Sequence, residues 1–323
     1  MRAIERREYG GPEALAIEDL PIPHPEPGWV RIRVQASSLN PFEWHHMRGL
    51  PYLMRPEAGW RAPKNRGLGV DVAGVIDAVG DGVGGFAVGD NVFGSAHNAL
   101  AEFATAKAEN ITRLPEDVAP AAAAAVPLAA LTALQAIRDA GRMTPGARVL
   151  VLGASGGVGH FAVQIAKILE ARRVVASCSA RNAGWVGQLG ADRVLDYARG
   201  DVERIDEKFD LILDLAGGTS IAYLRSLLAE GGSLVLVGGP GEGRLLGPAA
   251  RIFAGMIGSS FRSERVAMAN VSWSGADLEF LAPFLSDGRL RPVIHREVDL
   301  ESVPVALAEV EEGHVPGKVV VIL

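Results

Sequence analysis

The stretch RVLVLGASGGVG, residues 148–159, followed by HFAVQIAK, residues 160–167, decides how this chain folds. After Arg148 comes a short apolar run that ends at Gly153, a pattern typical of a buried parallel strand. Beyond the glycines, apolar residues recur at helical spacing, at Val158, Phe161, Ala162, Ile165, Ala166 and Leu169. The stretch therefore predicts a strand, a glycine-rich turn and a helix in succession.

The turn matches the dinucleotide-binding fingerprint in the form Ala154-x-Gly156-x-x-Gly159, with alanine in place of the first glycine. In this fingerprint Gly156 lets the backbone approach a pyrophosphate, and Gly159 lets the helix pack closely on the strand. The free N–H groups of the first helical turn then face the anion. Because a second strand over residues 173–177 follows at the expected distance, we predict a dinucleotide site rather than a plain turn.

The residues after that second strand favour NADPH over NADH. A site that prefers NAD has an Asp or Glu about 20 residues after the glycines, where the carboxylate binds the ribose 2′-hydroxyl. This chain has no acid there before Asp192. It offers Ser179 and Arg181 instead, a hydroxyl and a guanidinium that suit a 2′-phosphate. The alternative is that Arg181 is a solvated residue at the start of a helix.

Composition limits the class of protein. With 323 residues the chain is long enough for two domains, and its formal net charge of −6 argues against nucleic acid or an anionic membrane as the main partner. The single cysteine, Cys178, excludes an intrachain disulfide and a cysteine-rich zinc site. There is no uninterrupted stretch of about 18 apolar residues and no signal-peptide core, so we predict a soluble cytoplasmic protein.

Two kinds of pattern divide the chain. Residues 1 to about 115 read as many short strands separated by prolines and glycines, which predicts a barrel-like antiparallel domain. Within it, residues 40–49 read as a short capped helix. From Arg148 onwards strands alternate with helices, which predicts a parallel sheet.

Motifs along nearly the whole chain resemble the medium-chain dehydrogenase/reductase superfamily. They are GVDVAGVIDAVG (69–80), VGDNVFG (88–94), AEF (101–103), LAALTALQ (128–135), LGAD (189–192) with Asp196–Tyr197, and GKVV (317–320). The resemblance implies an α/β protein with a GroES-like β-barrel catalytic domain and a Rossmann-fold dinucleotide-binding domain. We expect the catalytic domain at residues 1–120, completed by about 267–323, and the NADP-binding domain at residues 121–266.

The sequence differs from the zinc alcohol dehydrogenases of this superfamily at the positions of their metal ligands, and these differences indicate which branch of the superfamily it resembles. The first cysteine ligand of those enzymes would fall near Asn40 and their His-Glu pair near Val70–Asp71, and neither ligand residue is present. The four cysteines of a structural-zinc lobe are also missing. The chain resembles the zinc-independent quinone oxidoreductase branch, and we expect no metal.

The resemblance also implies the site residues. For the cofactor they are Asn40 and Thr132 near the nicotinamide ribose and amide, Gly238 and Gly239 beside the ring, Ser155, Gly156, Gly157 and Val158 at the pyrophosphate, and Ser179, Arg181 and Tyr197 at the 2′-phosphate. Lys318 is expected at the rim of the pocket. Tyr52 and Asn40 are the candidate catalytic residues, since the phenol of Tyr52 could donate to a carbonyl that is being reduced. The alternatives are that Tyr52 only lines the pocket and that Asn40 only caps a helix.

Without zinc to polarise an alcohol oxygen, reduction of an already electrophilic acceptor is the easier chemistry. We predict hydride transfer from NADPH to a quinone. An enone or alkenal reductase would use the same residues, and a nucleotide-binding sensor or structural relative with little turnover is the alternative outside enzymes. The apolar segment 251–261 lies where the family's sheet has its edge strand, which favours a homodimer.

Overall fold

The computed structural model describes residues 1–237 and 264–323. The strands of these residues are β1 (Arg2–Arg6), β2 (Leu15–Asp19), β3 (Trp29–Leu39), β4 (Asp71–Val79), β5 (Asn91–Ser95), β6 (Phe103–Lys107), β7 (Ile111–Arg113), β8 (Arg148–Leu152), β9 (Arg173–Cys178), β10 (Arg193–Asp196), β11 (Phe209–Asp214), β12 (Leu228–Leu236), β13 (Arg265–Met268), β14 (Ile294–Val298) and β15 (Lys318–Ile322). Their α-helices are α1 (Pro41–Arg48), α2 (Arg55–Ala58), α3 (Pro120–Ala124), α4 (Pro127–Gln135), α5 (Gly159–Ile168), α6 (Ala183–Gln188), α7 (Ile221–Ser226), α8 (Gly275–Ser286) and α9 (Val303–Glu312).

The chain divides into two compact units. The first comprises Met1–Leu131 with Ser272–Leu323, and the second comprises Thr132–Val271. The first boundary between the units therefore falls inside α4. The start of α4 belongs to the first unit because the backbone N–H of Leu128 donates to the carboxylate of Asp71 at 2.8 Å.

A mostly antiparallel sheet forms the centre of the first unit. Its strand order is β14-β15-β3-β4-β5-β7, β6 also pairs with β3, and β1 and β2 form a separate two-stranded sheet. Along β3 the side chains of Val30, Ile32 and Val34 are buried in alternation, as expected of a strand with one face on a core. The predicted GroES-like domain is confirmed.

The second unit is built on a six-stranded parallel sheet of order β10-β9-β8-β11-β12-β13. Buried apolar residues such as Leu150, Ile212 and Leu234 come from its central strands, which is typical of a sheet covered on both faces. After β8 the chain builds outward through β9 and β10, and it then returns to the other side of β8 with β11. The order therefore reverses between β8 and β11, as in a Rossmann fold.

Three sequence predictions fall outside the described residues. They concern Gly238 and Gly239 and the apolar segment 251–261, so the homodimer stays a prediction. Within the described part of the six-stranded sheet the edge strand on this side is β13. Among the helices of residues 1–237 and 264–323, none is both long and apolar enough to cross a membrane.

Candidate active site

The glycine turn lies between β8 and α5, at the carboxyl edge where the strand order reverses. Open α/β sheets bind their ligands at this kind of edge. Gly153 has a φ of +82°, and a Cβ atom on Gly159 would lie 2.1 Å from the carbonyl oxygen of Gly153. Only glycine at position 159 therefore lets the helix start this close to the turn.

Gly156 is different, because the protein itself does not require a glycine there. A Cβ atom on Gly156 would have one neighbour within 4 Å, the oxygen of Gly153 at 3.5 Å, which is an ordinary contact. The space beside Gly156 is thus open in the protein and available to a ligand. Residues 155–158 are partly exposed, whereas the strand and helix that flank them are buried.

Backbone donors at the turn also point to an anion. Of the N–H groups in this described segment, those of Gly153 and Ala154 donate to the oxygen of Ser177, at 3.1 and 2.9 Å. No hydrogen-bond partner occurs within the described chain for the N–H groups of Ser155, Gly157 and Val158. Free N–H groups at the start of a helix bind phosphate readily. The turn therefore fits the pyrophosphate of a dinucleotide.

The residues predicted for the 2′-phosphate lie at the ends of two neighbouring strands. Cys178 ends β9 and pairs in register with Asp196, which ends β10. Ser179 and Tyr197 directly follow these two residues, and Tyr197 is 56% exposed. Arg181 lies on the short turn after β9 and is exposed. Strand pairing thus brings Ser179 and Tyr197 to one edge, and Arg181 follows Ser179 by two residues.

Asp192 and Asp196 lie near opposite ends of β9. The carboxylate of Asp192 binds Lys167 and the backbone N–H of Val174, each at 2.6 Å, so it is engaged at the amino end of β9. The sequence analysis named Asp196 only as part of a family motif, and its position next to Cys178 follows only from strand pairing. Its carboxylate accepts a bond from the N–H of Ala198 at 3.0 Å.

Burial, and then the negative charge of Asp196, raises the pKa of the Cys178 thiol to about 11. This thiol is therefore protonated at neutral pH. Because the thiolate is the nucleophile, Cys178 is inert in this environment, as its burial suggests.

A buried polar cluster occupies the first unit around Asp71. One carboxylate oxygen of Asp71 accepts from the hydroxyl of Ser38 at 2.6 Å and from the amide of Asn40 at 2.9 Å. The same oxygen lies 3.5 Å from the ammonium of Lys318, and the other oxygen binds the N–H of Leu128. Asp71 therefore ties together the end of β3 and the starts of α1, α4 and β15.

Lys318 lies inside this cluster, so its predicted place at the pocket rim is wrong. Its side chain is 2% exposed, and its ammonium donates to the carbonyl of Leu39 at 3.1 Å and to the amide oxygen of Asn40. Burial lowers the pKa of Lys318, and the charge of Asp71 opposes this shift. The sequence could not reveal this burial because lysine at the start of a strand is usually exposed.

Asn40 begins α1 and is itself buried. Both polar ends of its amide bind within the cluster, to Asp71 and to Lys318. The carboxyl group of Glu43 accepts from the backbone N–H of Asn40 at 2.7 Å, which is half of a capping box. The cap is therefore present, and contact between Asn40 and a ligand stays a prediction. The spacing Asn40-x-x-Glu43 was the sequence signal for Glu43, which we had not singled out.

The remaining predicted residues lie on α4 and on the segment after α1. Thr132 lies on α4, four residues after Leu128, and is partly exposed. Tyr52 follows α1 on a short helical turn and is 38% exposed. A separate open cavity of about 600 Å³ in the first unit, lined by residues such as Phe86, Arg113 and Glu279, includes none of the predicted site residues.

Comparison with known proteins agrees with this geometry. Residues 26–116 match the alcohol dehydrogenase GroES-like domain, and residues 189–321 match a family described as zinc-binding dehydrogenase. The chain is 33% identical to the chloroplast envelope quinone oxidoreductase homolog of Arabidopsis thaliana, over 99% of this chain and 98% of that protein. It belongs to the medium-chain dehydrogenase/reductase superfamily.

Two further members of the superfamily bear on the chemistry. The chain is 30% identical to a 2-methylene-furan-3-one reductase of Solanum lycopersicum, over 99% of this chain and 79% of that protein. A mycobacterial protein solved in complex with NADPH is 28% identical, with full coverage of both chains and a TM-score of 0.79. The chain is thus a quinone oxidoreductase-like member of the superfamily.

The zinc named by one matching family does not fit the residues present. Asn40 and Asp71 stand where the resemblance locates ligands in the zinc enzymes, and oxygen atoms of both bind the ammonium of Lys318. A divalent cation would meet this positive charge at close range, and the cluster lacks the imidazole and thiolate groups that zinc prefers. In residues 1–237 and 264–323, no group of three or more His, Cys, Asp or Glu could hold a metal ion.

Glu43 gives the cluster a testable dependence on pH. Burial, and then the charge of Asp71, raises the pKa of Glu43 from its ordinary value of 4.5 to about 8, and Lys318 opposes this. The folded protein keeps a proton that the unfolded chain releases above 4.5. Stability is therefore lost as the pH rises from 4.5 through about 8, by at most about 1.4 kcal/mol per pH unit.

We expect Glu43→Gln to remove this slope, because glutamine is neutral in both states. The free energy of unfolding of the variant, minus that of the wild type, should rise through this pH window and level off above about 8. Urea titrations across this pH window measure the difference. Glu57→Gln, at an exposed glutamate on α2, is the control and should keep the wild-type slope. Parallel curves for Glu43→Gln and the wild type would contradict the assignment.

Proposed function

We propose that this protein is an NADPH-dependent oxidoreductase that transfers hydride to a quinone without a metal ion. The observation that carries the proposal is the open glycine turn at the switch point of the parallel sheet, with Ser179, Arg181 and Tyr197 gathered at one edge. The mycobacterial relative solved with NADPH supports the choice of cofactor. The quinone oxidoreductase homolog of Arabidopsis thaliana supports the choice of acceptor.

In this proposal the turn and the two strand ends bind the cofactor. The N–H groups of Ser155, Gly157 and Val158 hold the pyrophosphate, and Gly156 leaves room for it. Arg181 pairs with the 2′-phosphate, with Ser179 and Tyr197 beside it. Asp192 does not compete for the ribose, because its carboxylate is engaged by Lys167 and Val174.

Residues of the first unit are proposed to bind the acceptor. NADPH, when bound, supplies the hydride, and reduction of a quinone to a hydroquinone takes one hydride and one proton. Thr132 orients the nicotinamide, and the cluster around Asp71 keeps Asn40 in one orientation. Tyr52 lines the acceptor pocket, and its phenol is the candidate proton donor.

A second function, reduction of a carbon–carbon double bond conjugated to a carbonyl, is favoured by one observation. The tomato relative, matched over nearly the whole of this chain, is a 2-methylene-furan-3-one reductase. The same residues serve both reactions, because each needs hydride delivery to an electrophilic carbon or oxygen and a donor for the developing oxyanion.

The decisive experiment is a metal-free assay of NADPH oxidation with a naphthoquinone and an alkenal in parallel. We expect loss of NADPH absorbance with the quinone and no change on addition of a chelator. Faster turnover of the alkenal would favour the second function. Saturable NADPH binding without turnover of either acceptor would contradict both and favour a nucleotide-binding sensor.

Arg181→Ala tests the preference for NADPH. We expect the Kd for NADPH to rise about 10- to 100-fold, because one charge-assisted contact is lost, and the Kd for NADH to stay within about twofold. Titration of cofactor fluorescence measures both constants. Arg172→Ala is the matched control, since Arg172 is exposed just before the amino end of β9. Equal losses for NADPH and NADH would rule out a 2′-phosphate contact.

A further inference from the structure

The segment that follows α1, residues 49–60, forms a loop closed on Tyr9. We call it the Tyr9 loop. At its start the ring of Tyr9 packs directly on Gly49, so that a Cβ atom on Gly49 would lie 2.5 Å from the ring. Near its end the hydroxyl of Tyr9 donates to the carbonyl oxygen of Gly59 at 2.7 Å. A single side chain from outside the loop therefore contacts both of its ends.

Arg55 fills the middle of the Tyr9 loop. Its guanidinium carbon lies 4.6 Å from the ring centroid of Tyr9 and 4.5 Å from that of Tyr52, so one cation contacts two aromatic rings. The same side chain donates to the carbonyl oxygens of Gly49 at 2.9 Å and Trp60 at 3.3 Å. This arrangement needs a planar cation with directional donors, which arginine provides and lysine does not.

The Tyr9 loop presents large apolar side chains to the solvent. Tyr52 is 38% exposed, Leu53 is 59% exposed and Trp60 is 68% exposed. Several exposed side chains of this size within nine residues are typical of a ligand-contacting surface, provided that the backbone beneath them is held in place. Arg55 holds it, because it contacts the ring of Tyr52 and the backbone of Trp60.

We propose that Arg55 is a positioning residue that holds the Tyr9 loop as a preformed apolar wall for the acceptor, and that this wall favours quinones with a large apolar substituent. The inference rests on the proposed function, in which Tyr52 lines the acceptor pocket. A wall that is already ordered spares the acceptor the cost of ordering it on binding. Tyr9 acts on the acceptor only through Arg55 and the loop.

The central test compares Arg55→Met with Arg61→Met. Methionine keeps most of the length of arginine but removes the charge and the donors, and Arg61 is an exposed arginine just beyond the loop. We expect Arg55→Met to raise the KM for an alkyl-substituted naphthoquinone about 3- to 10-fold. The KM for unsubstituted naphthoquinone and the Kd for NADPH should stay within about twofold. Arg61→Met should resemble the wild type, and Arg55→Lys should fall between the two.

Hydrogen exchange gives a second readout that does not depend on activity. Within the loop the amide of Met54 donates to Pro51 at 3.0 Å, and the amide of Gly59 donates to Arg55 at 2.8 Å. Both amides should exchange at least about 5-fold faster in Arg55→Met, because the loop then opens more often. If Arg55→Met only lowered the free energy of unfolding of the whole protein, amide exchange would instead become faster throughout the first unit.

Tyr9→Leu tests whether the effect passes through Arg55. Alone, it should raise the KM for the alkyl-substituted quinone, as Arg55→Met does. Combined with Arg55→Met it should add less than it does alone, because the stacking of Arg55 on the ring of Tyr9 is already lost in Arg55→Met. Simple additivity of the two effects would overturn the route through Arg55.

Other combinations of exchange rate and KM in Arg55→Met would overturn individual parts of the proposal. Faster exchange with an unchanged KM in Arg55→Met would overturn the link to the acceptor, and unchanged exchange would overturn the role of Arg55 in the loop. Equal rises in KM for both naphthoquinones would overturn the preference for apolar substituents. If the wild type reduces no acceptor, the proposed function and the acceptor wall fail together, while hydrogen exchange still decides whether Arg55 orders the loop.

Discussion

Replacement of Asp71 by alanine should lower the free energy of unfolding by about 3–5 kcal/mol, the range measured when one partner of a buried ion pair is removed. Asp71 is fully buried and accepts bonds from Ser38, Asn40 and Leu128. Its loss also leaves the ammonium of Lys318 buried without its carboxylate. Urea denaturation followed by circular dichroism measures the change.

Asp77→Ala is the matched control on the same strand. Asp77 pairs with Arg31 at 2.9 and 3.0 Å, but this pair is partly exposed, so we expect a loss of about 1 kcal/mol. A comparable loss at both positions would contradict a special role for the buried cluster.

Removal of both charges should cost less than removal of one. In Asp71→Ala/Lys318→Met no buried ammonium is left without a partner, so the double variant should be more stable than Asp71→Ala alone. If Asp71→Ala does not fold, Asp71→Asn replaces it in the comparison, since asparagine keeps an oxygen that can accept from Leu128. Equal stability of the single and double variants would show that the charge of Lys318 does not need Asp71.

Alanine substitutions at Gly156 and Gly159 should separate cofactor binding from folding. We expect Gly156→Ala to leave the free energy of unfolding within about 1 kcal/mol of wild type, since its new Cβ atom meets only an ordinary contact at 3.5 Å. The Kd for NADPH should nevertheless rise at least about tenfold, because the methyl group occupies the space proposed for the pyrophosphate. Thermal unfolding and cofactor fluorescence measure the two effects.

Gly159→Ala should instead act mainly on folding, by lowering the free energy of unfolding. Its Cβ atom would lie 2.1 Å from the oxygen of Gly153, so the start of α5 must move, at a cost of about 1–3 kcal/mol or more. Gly184→Ala is the control, because no atom lies within 4 Å of the added methyl group on α6.

Unchanged NADPH affinity in Gly156→Ala would mean that the turn does not approach a pyrophosphate.

Local sequence signals predicted much of the second unit. The apolar run after Arg148, the glycines and the helical spacing that follows them specify β8, the turn and α5, because each depends on residues close in sequence. Ser179 was predicted from its position after the second strand and Tyr197 from the resemblance, and their meeting at one edge follows from the pairing of β9 with β10.

The cluster around Asp71 could not be predicted in the same way. Its members come from positions 38, 40, 71, 128 and 318, and nothing in the local sequence at Lys318 signals that its ammonium is buried. The resemblance to the family placed Lys318 at the rim of a pocket, and lysine is rarely buried unless it is paired. Only pairing of β15 with β3 brings it to Asn40.

The sequence by itself determined the class of fold, the glycine turn and the family, because strand and helix periodicity and short motifs are local properties of the chain. Tertiary structure decided which polar groups are buried together, which glycines the protein itself requires, and that Arg55 lies between Tyr9 and Tyr52. These features depend on contacts between residues far apart in sequence or on opposite sides of a loop, and their energies arise only when folding removes water from them.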